Sequence, residues 1–254
     1  MNDLTMYMVT HTPVDYVPKG RTPIFVGTGD NKYNYITDCS GDNIAEKNKN
    51  YCELTALYWI WKNDCSSKYV SIEHYRRFFM KKNALLPHIC KQDDIKKILQ
   101  SYDVVVSQKS RYGISNEEYY RQRHYESDMN MVREAIEWLH PDYIESFDNM
   151  MKSFQLSMFN MIAIDKKKFD EYCEWLFSIL FDVEKKIKLD GRTKYQQRVF
   201  GFLSERLMDV WINKNSLAVY QTPIYRYDPN TIRAFLMSEK SRIPSTFTPT
   251  SERR

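Results

Sequence analysis

The run Glu73-His74-Tyr75-Arg76-Arg77 gathers an acid, an imidazole, a phenol and two guanidinium groups. A guanidinium presents a planar fork of donors that matches phosphate oxygens, so this pair of arginines suits a diphosphate. Successive side chains alternate along an extended segment, so at most one of Arg76 and Arg77 is expected to act as the clamp. The bland alternative for both is a solvated face or a salt bridge. Glu73 and His74 could hold a metal, or His74 could touch a substrate phosphate or hydroxyl. A structural histidine bonded to backbone fits that position equally well.

Other candidates lie further along the chain. Asn48 and Asn50 precede a helical stretch, where they could cap the helix or read a nucleotide base. Glu53 falls away from the apolar stripe of that stretch and could reach a ligand from below. His124 and Asp128 stand four apart in a helical pattern, so they would share a face as a base and its carboxylate; a plain surface pair is the competing reading. Asn160 interrupts the apolar run Leu156–Ile162, where a polar side chain needs a partner or a task. Glu205 and Arg206 sit beside the apolar face of a long helix, with an internal pair as the default. Asp93 and Asp94 read as helix capping. No nucleophile elbow, zinc-protease motif or glycine-rich phosphate loop is present.

These groups must be held by an alternating set of elements. Thr5–Thr10 reads as a first strand and Ile24–Gly27 as a second. Residues 27–50 are rich in Gly, Asp, Asn and Lys and read as a long loop. Tyr51, Leu54, Tyr58 and Trp61 recur at helical spacing. Strands are then expected at Tyr69–Ile72, Tyr102–Ser107, Leu156–Ile164 and Leu217–Tyr220. Helices are expected at Asp93–Gln100, Asn116–Leu139, Pro141–Met151, after a cap at Asp165, and at Tyr195–Asn213. This alternation implies an α/β fold with a parallel sheet. A strand end rich in polar groups is where such sheets place ligands.

The bulk numbers narrow the class. The chain has 254 residues, 43% hydrophobic and 28% charged, as a globular protein should. Its net charge of +4 suits anionic substrates or an acidic membrane face, without the basic stripe of a nucleic-acid binder. Cys39, Cys52, Cys65, Cys90 and Cys173 form no CxxC pair and read as reduced thiols, not a zinc site. No signal peptide and no apolar stretch of spanning length is visible. Beyond Leu236 the polar composition implies a mobile tail over 237–254, leaving 1–236 as one domain.

Several stretches together resemble a bacterial family of unknown-function domains linked to capsular and exopolysaccharide biosynthesis, whose members are regarded as glycosyltransferases. They are Gly41–Ile44, Lys47–Asn63, His74–Arg77, Phe159–Met161, Phe169–Phe177 and Arg198–Leu207, and the likeness runs from about Tyr7 to Tyr220. The resemblance implies a GT-A-like α/β/α sandwich with a mostly parallel central sheet. It implies transfer of galactose or galactofuranose from a UDP-sugar donor to a lipid-linked oligosaccharide, by a cytoplasmic protein that could rest on the inner face of the plasma membrane. Donor contacts would come from Thr10, His11, Asn43, Asn48, Asn50, Glu53, Arg76, Arg77, Asn160 and Arg198. Asp128, Glu205 and His74 would be the catalytic candidates. The fold normally ends a strand in an Asp-x-Asp that holds Mn or Mg against the donor. Here the corresponding strand ends in Glu73-His74-Tyr75-Arg76-Arg77. Either Glu73 and His74 bind the metal, or an arginine replaces it, and the second is favoured. A nucleotide- or glycan-binding module that has lost catalysis is the alternative function.

Overall fold

The structure, a computed structural model, describes residues 2–82 and 88–228. The chain opens with strands β1 (Asn2–Thr10), β2 (Arg21–Phe25) and β3 (Ile36–Thr37), then a single turn α1 (Asn48–Tyr51) and helix α2 (Leu54–Asn63). Strands β4 (Ser67–His74) and β5 (Arg77–Phe79) follow, then α3 (Gln92–Leu99), β6 (Val104–Ser107) and β7 (Ser110–Arg111). Next come helices α4 (Asn116–Arg121), α5 (Glu126–Leu139) and α6 (Ile144–Lys152), and strands β8 (Gln155–Leu156) and β9 (Ile162–Asp165). Helices α7 (Lys166–Lys186) and α8 (Val199–Lys214) and strands β10 (Val219–Thr222) and β11 (Ile224–Arg226) complete it. The boundary expected at 236 and the tail 237–254 lie outside the described residues.

The main sheet runs β10-β6-β9-β4-β1-β2-β3, with β5 and β11 added beyond the end of β4. Neighbours on this path pair in parallel except at β9, which is antiparallel to both β4 and β6. This reversal matters for the site. The parallel strands bring their C-terminal ends to one edge, and β9 brings its N-terminal end to the same edge.

Alternation along the strands divides the core between two faces. In β1, Tyr7 and Val9 join the large cluster formed with α2, α5, α7 and α8, while Leu4 and Met6 turn to the smaller cluster containing Ile95 and Leu99 of α3. Likewise Val104 and Val106 face one side and Val105 the other. Helices therefore cover both faces of an α/β/α sandwich. Helix α7 starts where β9 ends because Asp165 accepts from the backbone N–H of Lys167 at 2.9 Å and of Lys168 at 3.4 Å. No helix among the described residues is long and apolar enough to cross a membrane.

Two expected elements divide. The run Leu156–Ile164 is not one strand, because Phe159 and Asn160 take φ of +77° and +51° between β8 and β9. The helix expected over Asn116–Leu139 breaks after Arg121, and α5 starts afresh at Glu126.

Glu73 serves the sheet. Alternation turns it away from His74, into the side of the sheet occupied by Arg21 of β2. There its carboxylate accepts from Arg21 Nε at 2.8 Å, Arg21 Nη2 at 3.2 Å and the Phe79 N–H at 2.7 Å. Both side chains of the ion pair are essentially inaccessible, at 1% and 0% exposure. Removing one partner of such a pair strands the other charge. Glu73→Ala is expected to cost about 3–5 kcal/mol of stability, read from urea unfolding midpoints. A loss below about 1 kcal/mol would show that the pair does not hold the β4–β5 hairpin to β2.

Candidate active site

A cleft of about 570 Å³ opens at the common strand edge. Its floor is the end of β1 with Thr10 and His11, and Val26 after β2. One wall is the α1–α2 junction, carrying Asn48, Lys49, Cys52 and Glu53; packed against it, the N-terminal part of α8 adds Arg198, Phe202 and Glu205. The β4–β5 hairpin supplies His74, Tyr75, Arg76 and Arg77, and the turn before β9 supplies Phe159.

The junction wall depends on unusual backbone. Cys52 has φ of +53°, and Asn48 Nδ2 holds its carbonyl at 2.8 Å and reaches Thr55 Oγ1 at 3.1 Å. Asn48 therefore does not cap α2, which starts without a side-chain cap; it braces the Cys52 carbonyl and faces the cleft. Gly27 approaches it with φ of +80°, and a Cβ there would lie 3.0 Å from Asn48 Oδ1.

The turn before β9 is gripped from three sides. His74 Nε2 donates to the Phe159 carbonyl at 2.6 Å. The Phe159 N–H donates to Glu205 Oε1 at 2.9 Å. Asn160 Nδ2 donates to Glu53 Oε1 at 2.8 Å and to the Gly201 carbonyl at 3.3 Å. A left-handed pair of non-glycine residues persists only when its surroundings fix it, and these bonds do so. The proton on His74 Nε2 is therefore assigned by its carbonyl partner. Burial pushes the imidazole pKa below its ordinary value, so His74 is neutral here.

Both acids near the turn face the cleft, but their environments differ. The Glu205 side chain is 12% exposed, and burial is the first cause that raises its pKa to about 7; the Glu53 carboxylate adds to the rise, while Arg206 and the Phe159 N–H oppose it. A carboxyl poised near neutral pH suits proton transfer. Arg206, buried beside it, donates to Glu205 Oε2 at 3.3 Å and to the Phe202 carbonyl at 2.8 Å, so the internal pair expected from sequence forms as well.

The cleft also holds cations without acidic partners. Among the described residues no carboxylate lies within ion-pair distance of Arg76, Arg77 or Arg198. Arg198 Nε instead touches Cys52 Sγ at 3.2 Å. The Arg77 guanidinium lies 4.3 Å from the centre of the Phe159 ring, and its buried Nε has no partner. Burial, and then the positive charges of Arg198 and Arg76, lower the pKa of His11. Such a field draws an anion.

Several sequence expectations change on this geometry. Both Arg76 and Arg77 reach the cleft, because Tyr75–Arg76 is the turn of a hairpin, where strand alternation does not apply. Glu73 and His74 do not fit a shared metal: Glu73 is saturated by Arg21 and Phe79 on the other face, and His74 is committed to Phe159. No group of three or more His, Cys, Asp or Glu side chains arranged to hold a metal occurs among the described residues. Asp128 lies away from the cleft, buried at the start of α5, where Arg192 binds it through two bonds of 2.7 Å. His124 precedes α5 and meets Gln196 Oε1 at 3.1 Å, so the two do not form a base and carboxylate. Asn43 makes a local turn with Gly41 and Ala45, and Asn50 Nδ2 holds the Gln197 carbonyl at 2.8 Å; neither lines the cleft. Sequence reasoning missed Phe159, Lys49, Tyr75 and Phe202, whose only hint was closeness to Asn160, Asn48 and the arginines.

Residues 5–216 match the model of a family described as a domain of unknown function, DUF4422, and the chain belongs to that family. No functionally curated protein matches it. The apo structure of the WbbM bifunctional glycosyltransferase is similar, with a TM-score of 0.79 and 27% identity over 89% of this chain. The chain spans 46% of the WbbM chain. The fold is GT-A-like, with a mostly parallel central sheet.

The raised pKa of Glu205 has a thermodynamic consequence. The folded carboxyl binds its proton more tightly than the unfolded one, whose pKa is near the ordinary 4.5. The associated stability is therefore complete below that value and lost as pH rises through about 7. Between pH 4.5 and 8 the wild type is expected to lose about 1–3 kcal/mol by this route. Glu205→Gln should flatten that slope in urea titrations at a series of pH values. An unchanged slope in the variant would assign the pH dependence to other groups.

Proposed function

We propose that the chain is a glycosyltransferase that takes a sugar from a nucleoside-diphosphate donor and passes it to a glycan hydroxyl. The observation that carries this reading is one cleft that brings together arginines without acidic partners and a near-neutral carboxyl, Glu205. The GT-A-like fold and the likeness to a bifunctional glycosyltransferase support it. UDP as the nucleotide, galactose or galactofuranose as the sugar and a lipid-linked acceptor rest on the family resemblance. So does contact with a membrane surface.

The chemistry divides between the arginines and Glu205. The acceptor oxygen bonds to the anomeric carbon as the bond from that carbon to the diphosphate breaks. The electron pair leaves with the diphosphate, and the acceptor proton passes to Glu205. Charge on the diphosphate grows through the transition state, so arginines aimed there favour the transition state over the ground state. A neutral His74 keeps Phe159 in place and takes no proton. Glu53, fixed by Asn160, stands beside Glu205 and helps keep its affinity for a proton high.

Isothermal calorimetry with UDP, followed by a transfer assay with UDP-sugars, tests the reading. UDP is expected to bind at or below millimolar levels. Glu205→Gln is expected to lower kcat by about 10²–10⁴ while UDP affinity stays within a few-fold of wild type. Absence of uridine-nucleotide binding, with or without Mn²⁺, would overturn the reading. Binding with neither transfer nor donor hydrolysis would leave a binding module.

A further inference from the structure

Strand β11 places a charge where the sheet should avoid one. Arg226 is the direct partner of Arg77 across the antiparallel β5–β11 pair, and Arg77 is the partner of His74 across β4–β5. Directly opposed residues of an antiparallel pair share a face, and like charges so placed destabilise the pair. All three meet one residue. His74 Nε2 bonds the Phe159 carbonyl, while the Arg77 and Arg226 guanidiniums lie 4.3 and 5.7 Å from the centre of the Phe159 ring. Among the described residues neither arginine has a carboxylate within ion-pair distance. Arg77 Nε is buried without a partner, whereas Arg226 is exposed.

Backbone contacts hold the exposed arginine there. The Tyr227 N–H donates to the Arg76 carbonyl at 2.9 Å, and the Tyr227 ring stacks on Tyr16 at 4.8 Å. The end of β11 is thus tied to the hairpin turn that carries Arg76. Arg77 and Phe159 line the cleft, and Arg226 adjoins it on the same ring.

We propose that Arg77 and Arg226 together form the anion clamp of the cleft, with Arg226 a donor-binding residue that takes a phosphate of the nucleotide's diphosphate. A phosphate bridging the two guanidiniums relieves their repulsion and offers an acceptor to Arg77 Nε. The assignment deepens the nucleotide-sugar reading and rests on it for the identity of the anion.

Calorimetry with UDP, uridine and inorganic pyrophosphate on the full chain and on Arg226→Gln tests the clamp. Wild type should bind UDP and pyrophosphate. The variant should bind both about 10- to 100-fold more weakly and uridine equally well, because only charge-assisted bonds to phosphate are lost. Its melting temperature should stay level or rise, since a like-charge pair has been removed. Arg226→Lys should lose less, keeping charge without the fork; it gives the same comparison if Arg226→Gln folds poorly. UDP and pyrophosphate bound as tightly by both variants as by wild type would overturn the clamp and leave the nucleotide reading standing. Arg226-dependent pyrophosphate binding without UDP or uridine binding would keep the clamp and overturn the nucleotide. Binding of none of the three by wild type would overturn both.

Discussion

The left-handed turn at Phe159 and Asn160 joins the parts of the cleft. It exists because β9 runs against its neighbours and must begin at the edge where β1, β2 and β4 end. Its backbone is unfavourable for both residues, and the cost is offset by bonds from His74, Glu53 and Glu205. These three come from β4, the start of α2 and α8. The turn therefore sets the distance between the hairpin wall and the α8 wall. The Phe159 ring also spaces the guanidiniums of Arg77 and Arg226.

The same arrangement separates two kinds of charge. Glu73, adjacent to His74 in sequence, points through the sheet and compensates Arg21 in a closed ion pair. Asp128 closes another with Arg192. These acids stabilise the fold. The cleft holds Arg76, Arg77 and Arg198 without acidic partners and Glu205 partly covered. Low exposure raises the carboxyl's proton affinity.

What the sequence disclosed follows the range of the interactions. Local periodicity marked β1, α2, α3, α7 and α8, because each buries one face through residues close in sequence. The α/β class followed from their alternation. Thr10, His11, Asn48, Glu53, His74, Arg76, Arg77, Arg198 and Glu205 line the cleft, and the strand-end argument together with the family resemblance pointed to them. The failures came from conformation and long-range pairing. Nothing in Leu156–Ile164 signals that two non-glycine residues turn left-handed, since the bonds that hold them come from distant segments. Asp128 looked like a partner of His124 because the break after Arg121 carries no proline or glycine. Arg226 was silent because its position is fixed by pairing with β5, far back in the chain.

A crystal structure of the chain soaked with UDP tests this arrangement most directly. The phosphates should lie against the guanidiniums of Arg77 and Arg226, with Phe159 and Asn160 still left-handed and the uridine toward Thr10 and His11. Phosphates bound away from the hairpin, or joined to the protein only through a cation held by carboxylates, would contradict the assignment of the cleft.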